Sequence, residues 1–151
     1  MWLDNLNEFC DATALNTGAA ASYLIGDQVD LGAAVVDIGA GEPLYFVVQA
    51  DTAITSAATG TLQFHLASDA AAAMTPATAS KHVSSAVFDS AAGIAAGTVL
   101  MAVAVPMAGN VPYERYLGVV QTSGTAAVTA GSVSAFLTKD VSKFKAYPDA
   151  I

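Results

Sequence analysis

The chain has 151 residues, 54% of them hydrophobic and 12% charged, and its 13 acidic against 5 basic residues give a formal net charge of −8. This length suits one domain with its own core, and the acidic balance excludes a nucleic-acid partner, because binding a phosphate backbone requires a basic surface that releases counterions. The lone cysteine, Cys10, excludes an internal disulfide and reads as a small buried hydrophobe.

In chain order, Trp2, Leu6, Phe9 and Cys10 share helical spacing, whereas Phe9 to Leu15 reads equally well as extended; a lead-in over residues 1–8 followed by a strand is the preferred reading. Asp4 and Glu8 stand where a secretory leader carries positive charge, so export by that route is not expected. Tyr23 to Ile25 and Val29 to Leu31 are short apolar pieces separated by Gly26 and Asp27, a pair that favours a bend or bulge. Glu42 to Asp69 then reads as two strands joined by a small-residue loop. In the second of these, Leu62, Phe64 and Leu66 fall on one face and Gln63 and His65 on the other, the period of a half-buried strand.

Ala70 to Ala79 contains Thr75, Pro76 and Thr78 and is expected to be a surface loop. Lys81 to Phe88 reads as a weaker strand. Val99, Met101, Val103 and Val105 alternate with Leu100, Ala102 and Ala104, so both faces of this segment are expected to be covered and the strand to lie centrally. The run ends at Pro106, far too short to span a bilayer, so no membrane partner is expected. Arg115 to Thr122 and Ser132 to Lys139 are further strands, and residues 141–151 read as a C-terminal arm. Short strands with glycine-rich connections and no long helical pattern predict an all-β, two-sheet antiparallel sandwich over residues 9–140, with a jelly roll as the preferred topology. An immunoglobulin-type sandwich is the alternative, but its cysteine pair and core tryptophan are absent.

Chemistry-bearing motifs are sparse. His65 and His82 are single and separated, without the His-x-His spacing of metal-dependent jelly rolls, so no metal or other cofactor is expected. Asp27, Asp30, Asp37, Asp51 and Asp69 fall mostly at strand ends and turns, where a carboxylate serves local amides; the rival is a calcium loop, yet no Asp-x-Asp-x-Asp run is present. Nucleophile-elbow, phosphate-loop and zinc-protease motifs are also absent, and the chain is expected not to be an enzyme. Arg115, the only arginine, reads as a partner of Glu114 or of the following strand, or else as a bidentate contact with a carboxylate on a neighbouring subunit. Lys139, Lys143 and Lys145 form a small cationic cluster that reads as a solvated tail.

Several ordered segments carry a resemblance: Phe9 to Leu15, Val29 to Gly32, Gly39 to Tyr45, Glu114 to Leu117 and Gly131 to Leu137. Together they resemble the jelly-roll capsid cement, or decoration, proteins of short-tailed bacteriophages, of the Bordetella-phage type. The resemblance implies a non-enzymatic virion protein on the outer surface of the capsid, assembled in the host cytoplasm, that contacts the major capsid protein and stabilises the head against internal DNA pressure. Self-association is also expected, a dimer ahead of a trimer. Arg115, Lys143, Phe144, Lys145 and Tyr147 are the candidate partner contacts. The competing reading is a carbohydrate- or receptor-binding jelly roll of a phage fibre, using Tyr23, Tyr45, Tyr113 and Tyr116 as stacking surfaces.

Overall fold

The computed structural model describes residues 5–33 and 36–141. A 3-10 turn over Asn5–Asn7 leads into β1 (Glu8–Ala14) and β2 (Ser22–Asp30). There follow β3 (Tyr45–Ala50), β4 (Thr55–Ser56), β5 (Thr61–Asp69), β6 (Ser80–Ser84), β7 (Phe88–Asp89) and β8 (Val99–Ala104). Finally come β9 (Tyr116–Gly124), β10 (Val128–Ala130) and β11 (Ser132–Thr138). One sheet has the order β1-β11-β3-β8; the other has β2-β9-β5-β6, with β7 also paired to β5, and β10 pairs β4 in a small ribbon.

Setting the short strands β4, β7 and β10 aside, the topology is nested. The first strand pairs the last (β1 with β11), the second pairs the last but one (β2 with β9), β3 pairs β8, and β5 pairs β6, all antiparallel. The chain is thus one long hairpin wrapped around itself, with β11 joined to β3 and β9 to β5 to complete two facing sheets. That is a jelly roll, as the sequence predicts. The two strands read in Glu42 to Asp69 are present, but they lie in opposite sheets.

Alternation explains the core. Leu62, Phe64 and Leu66 of β5 and Leu117 and Val119 of β9 point inward, against Phe46, Val48 and Ala50 of β3 and Val133, Ala135 and Leu137 of β11. Phe9 meets Phe46 edge to face, with ring centroids 5.9 Å apart. Each such large side chain, fully buried, contributes about 1.5–3 kcal/mol. A smaller cluster lies on the outward face of the second sheet, where the 70–79 loop lays Met74 over Ala67 and Val120.

The β1 and β2 edges close one side of the sandwich. β2 bulges between Ile25 and Val29, as Gly26 and Asp27 predict, and Gly26 has φ +70°. A Cβ at this position would lie 2.1 Å from the Phe9 carbonyl oxygen, so only glycine lets the two edges approach this closely.

Three sequence expectations are corrected. β8 is an edge strand of its sheet, not a central one. Nor are both its faces covered, since Val99, Ala102 and Ala104 are exposed; a bulge where Val48 and Gln49 of β3 pair Met101 and Val99 lets the consecutive Leu100 and Met101 both be buried. The segment read as one strand from Lys81 to Phe88 is split into β6 and β7, because the Ser85 amide bonds the Phe64 carbonyl and its Oγ accepts from the Phe64 amide, leaving the regular ladder. Between the strands read at Arg115 to Thr122 and Ser132 to Lys139 the short strand β10 is added.

Candidate binding surface

The polar side chains of the sandwich bond one another. His65 lies on the outward face of β5, opposite its core-facing neighbours, as its alternation predicts, yet it is only 4% exposed. Its Nδ1 is 2.7 Å from Ser84 Oγ and its Nε2 is 3.0 Å from Thr122 Oγ1, which in turn is 2.9 Å from Ser22 Oγ. The result is a hydrogen-bonded ladder across β6, β5, β9 and β2. Burial, with a smaller contribution from the charge of Lys81, pushes the imidazole down to about 4, so it is neutral at pH 7.

His82 occupies a different environment. Its ring stacks on Tyr113 at 3.9 Å and its Nε2 is 2.7 Å from Ser68 Oγ, which also accepts the Glu114 amide. The Tyr113 hydroxyl donates to the Pro106 carbonyl at 2.6 Å, and burial pushes its phenol up to about 12. Burial lowers His82, partly opposed by the charge of Asp37. The histidines therefore serve separate networks, and among the described residues no group of three or more His, Cys, Asp or Glu side chains is arranged to hold a metal ion.

Asp30, Asp37 and Asp69 behave as the turn reading expects, whereas Asp51 accepts the Ser134 hydroxyl of β11. Asp37 accepts the amides of Gly39 and Ala108, tying the loop after β2 to the loop after β8. Asp69 accepts those of Ala71 and Thr75, which lowers its carboxyl. Asp30 accepts the Gly32 amide and, through both oxygens, the guanidinium of Arg115 at 2.8 Å. Arg115 thus pairs across β2 and β9 with Asp30 rather than with Glu114, and it also lies over the Tyr116 ring at 5.0 Å. That hydrogen bond, with the Gly32 amide, holds the Asp30 carboxyl down at about 2. Lys139 pairs Glu42 at the surface. Lys143, Phe144, Lys145 and Tyr147 lie outside the described residues.

Cys10 is buried, donates weakly to the Val133 carbonyl, and has its thiol pushed up to about 12 by burial, the state of an unreactive core cysteine. Gln121 was not singled out by sequence. It is wholly buried: its Oε1 accepts the Asn16 amide at 2.9 Å, and its Nε2 donates to the Asn16 carbonyl and to Ser123 Oγ, both at 3.0 Å, pinning the β1–β2 connection. Its signal was a polar residue at an inward position of the Leu117, Val119, Gln121 alternation.

An open depression of about 440 Å³ beside β2 is lined by Leu6, Glu8 and residues 27–30, so its carboxylates make an acidic surface. The tyrosines among the described residues do not gather into one platform: Tyr113 is buried, Tyr45 lies in the β1-β11-β3-β8 sheet, and Tyr23 and Tyr116 lie in the other. Fold and surface together define a jelly-roll protein whose polar residues hold its own strands and loops in place.

The family model described as Bbp16 matches residues 9–137, which run from β1 to the end of β11. The chain belongs to this family of bacteriophage proteins, named for a Bordetella phage. No curated protein matches the chain.

Proposed function

We propose that this protein is a non-enzymatic capsid cement, or decoration, protein: it binds the outside of an assembled phage head through major capsid subunits and stabilises the shell. The observation that carries the reading is that the phage-family match covers the whole sandwich from Phe9 to Leu137, so the family's common property is the jelly roll itself. The two histidines and the cysteine are hydrogen-bonded to groups within the sandwich, which suits a surface that works by shape. The acidic balance of the chain favours protein contacts over packaged DNA. Many weak contacts repeated over a symmetric shell add by avidity.

In this reading Lys143, Phe144, Lys145 and Tyr147 contact the capsid. Co-sedimentation with purified heads of the cognate phage is expected to show saturable binding and to raise the temperature at which heads release DNA. Removing residues 142–151 is expected to weaken attachment while the far-ultraviolet circular dichroism of the sandwich persists. Absence of binding to heads, or binding to tail fibres instead, overturns the proposal.

A further inference from the structure

We propose that the chain preceding β1 is a strap, in which Trp2 folds over the outer face of the β1-β11-β3-β8 sheet and seals Val47 and Phe136. The inference goes beyond the cement reading and is tested on the protein alone.

Burial on the outer side of the sheet carries the first part of the argument. In β3, Phe46 and Val48 point into the core, and in β11 so do Ala135 and Leu137. Alternation turns the residues between them, Val47 and Phe136, to the opposite face, where the register sets them side by side. Next to Val47 on that face comes Ala102 of the edge strand β8, which is exposed. The second sheet packs on the inner face and Val128 of the small ribbon joins the same core, so no strand among the described residues covers the outer face. Yet Val47 is 0% and Phe136 only 2% exposed. A phenylalanine on an open sheet keeps much of its ring in water, so an apolar group lies over this pair.

Position selects the occupant. Glu8, the first residue of β1, is paired directly with Phe136. Before it the chain does not run on past the sheet but turns at Asn5–Asn7 and lies against β11. Leu6 of that turn is 76% exposed, so the cover comes from elsewhere. Trp2 stands three residues before the turn, a reach of about 10 Å at the 3.3 Å spanned by an extended residue. Trp2 and Leu3 are apolar in succession, and an indole buries about 150–250 Å², enough to cover a valine and one ring face. The C-terminal arm fits less well. Lys139 is held by Glu42 on the loop before β3, and residues 142–151 mix Phe144 and Tyr147 with Lys143, Lys145 and Asp149, charges that a dry apolar patch excludes. A partner that takes this face must first displace Trp2.

The single tryptophan of the chain makes the test direct. In the unaltered protein, Trp2 emission is expected to be blue-shifted from that of the urea-unfolded chain and shielded from iodide, independently of protein concentration. NMR is expected to show indole contacts to the Val47 methyls and the Phe136 ring. Because Trp2 precedes the sandwich, Trp2→Ala is expected to leave the circular dichroism of the β-fold intact. It should lower the folding equilibrium constant in urea by roughly 10- to 100-fold and raise the binding of an apolar dye, and Trp2→Phe should recover part of the loss. Emission and quenching like those of the unfolded chain, or indole contacts to other residues, overturn the proposal. So does a folded Trp2→Ala variant with the parent's stability and dye binding. Shielding that grows with concentration assigns the cover to a second copy, and dye binding that rises on removing residues 142–151 but not in Trp2→Ala assigns it to the arm; each overturns the strap. Failure to bind phage heads overturns only the cement reading.

Discussion

Lowering the pH should strip stability from the outer face of the second sheet through His65. The imidazole moves from its ordinary 6.5 to about 4 in the folded protein, chiefly because it is buried between Ser84 and Thr122. The unfolded chain therefore binds a proton on this group that the folded chain refuses throughout that interval. Stability is fully present above the unfolded value near 6.5, falls as pH drops toward 4, and levels off below it. A tenfold change in proton affinity corresponds to about 1.36 kcal/mol, which sets a ceiling of about 3 kcal/mol. The ring lies on the outer face of its sheet, with exposed Lys81 nearby, so solvent screening reduces the expected loss to about 1–2 kcal/mol. Glu8 acts the other way: burial raises its carboxyl, so the folded state gains protons there slightly earlier than the unfolded chain. Urea denaturation at intervals from pH 7 to 4, run in parallel on the parent and on His65→Gln, isolates the histidine term as the difference between the two curves. Direct titration of the His65 ring by NMR should give a midpoint near 4. A midpoint at 6 or above, or identical pH curves for the two proteins, would refute the reasoning.

Gly26→Ala should cost about 2–3 kcal/mol in chemical denaturation, because it combines a left-handed backbone with a Cβ driven into the Phe9 carbonyl; a neutral effect would show that the β1 and β2 edges are not held this closely. Leu66→Ala, which empties a fully buried core position, should cost about 2–5 kcal/mol by the same assay. Cys10 should resist iodoacetamide in the native protein at pH 8 and react promptly in denaturant, as its burial and raised thiol require; rapid labelling of the folded chain would contradict its placement. Arg115→Lys should lose the two-pronged contact and let the Asp30 carboxyl rise from about 2 toward its ordinary range, read by carboxyl NMR titration. An unshifted Asp30 would place the stabilisation on the Gly32 amide instead.

By itself the sequence determined which residues face inward. The alternations of Leu62, Phe64 and Leu66 and of Val133, Ala135 and Leu137 are properties of single strands, fixed by the two-residue repeat of an extended backbone. The bulge at Gly26 and the turn-capping aspartates were legible for the same local reason. Only the tertiary structure decided which strands are neighbours. Arg115 and Asp30 stand 85 positions apart, and Glu8 pairs with Phe136 at opposite ends of the described chain. The His65 ladder draws on four strands, and no local pattern could have assembled it. β8 shows the limit most plainly: an apolar residue at every position suggested cover on both faces and a central place, whereas Ala102 and Ala104 are exposed and the strand's place in the sheet depends on hydrogen bonds made sideways to other segments, which came only with the fold.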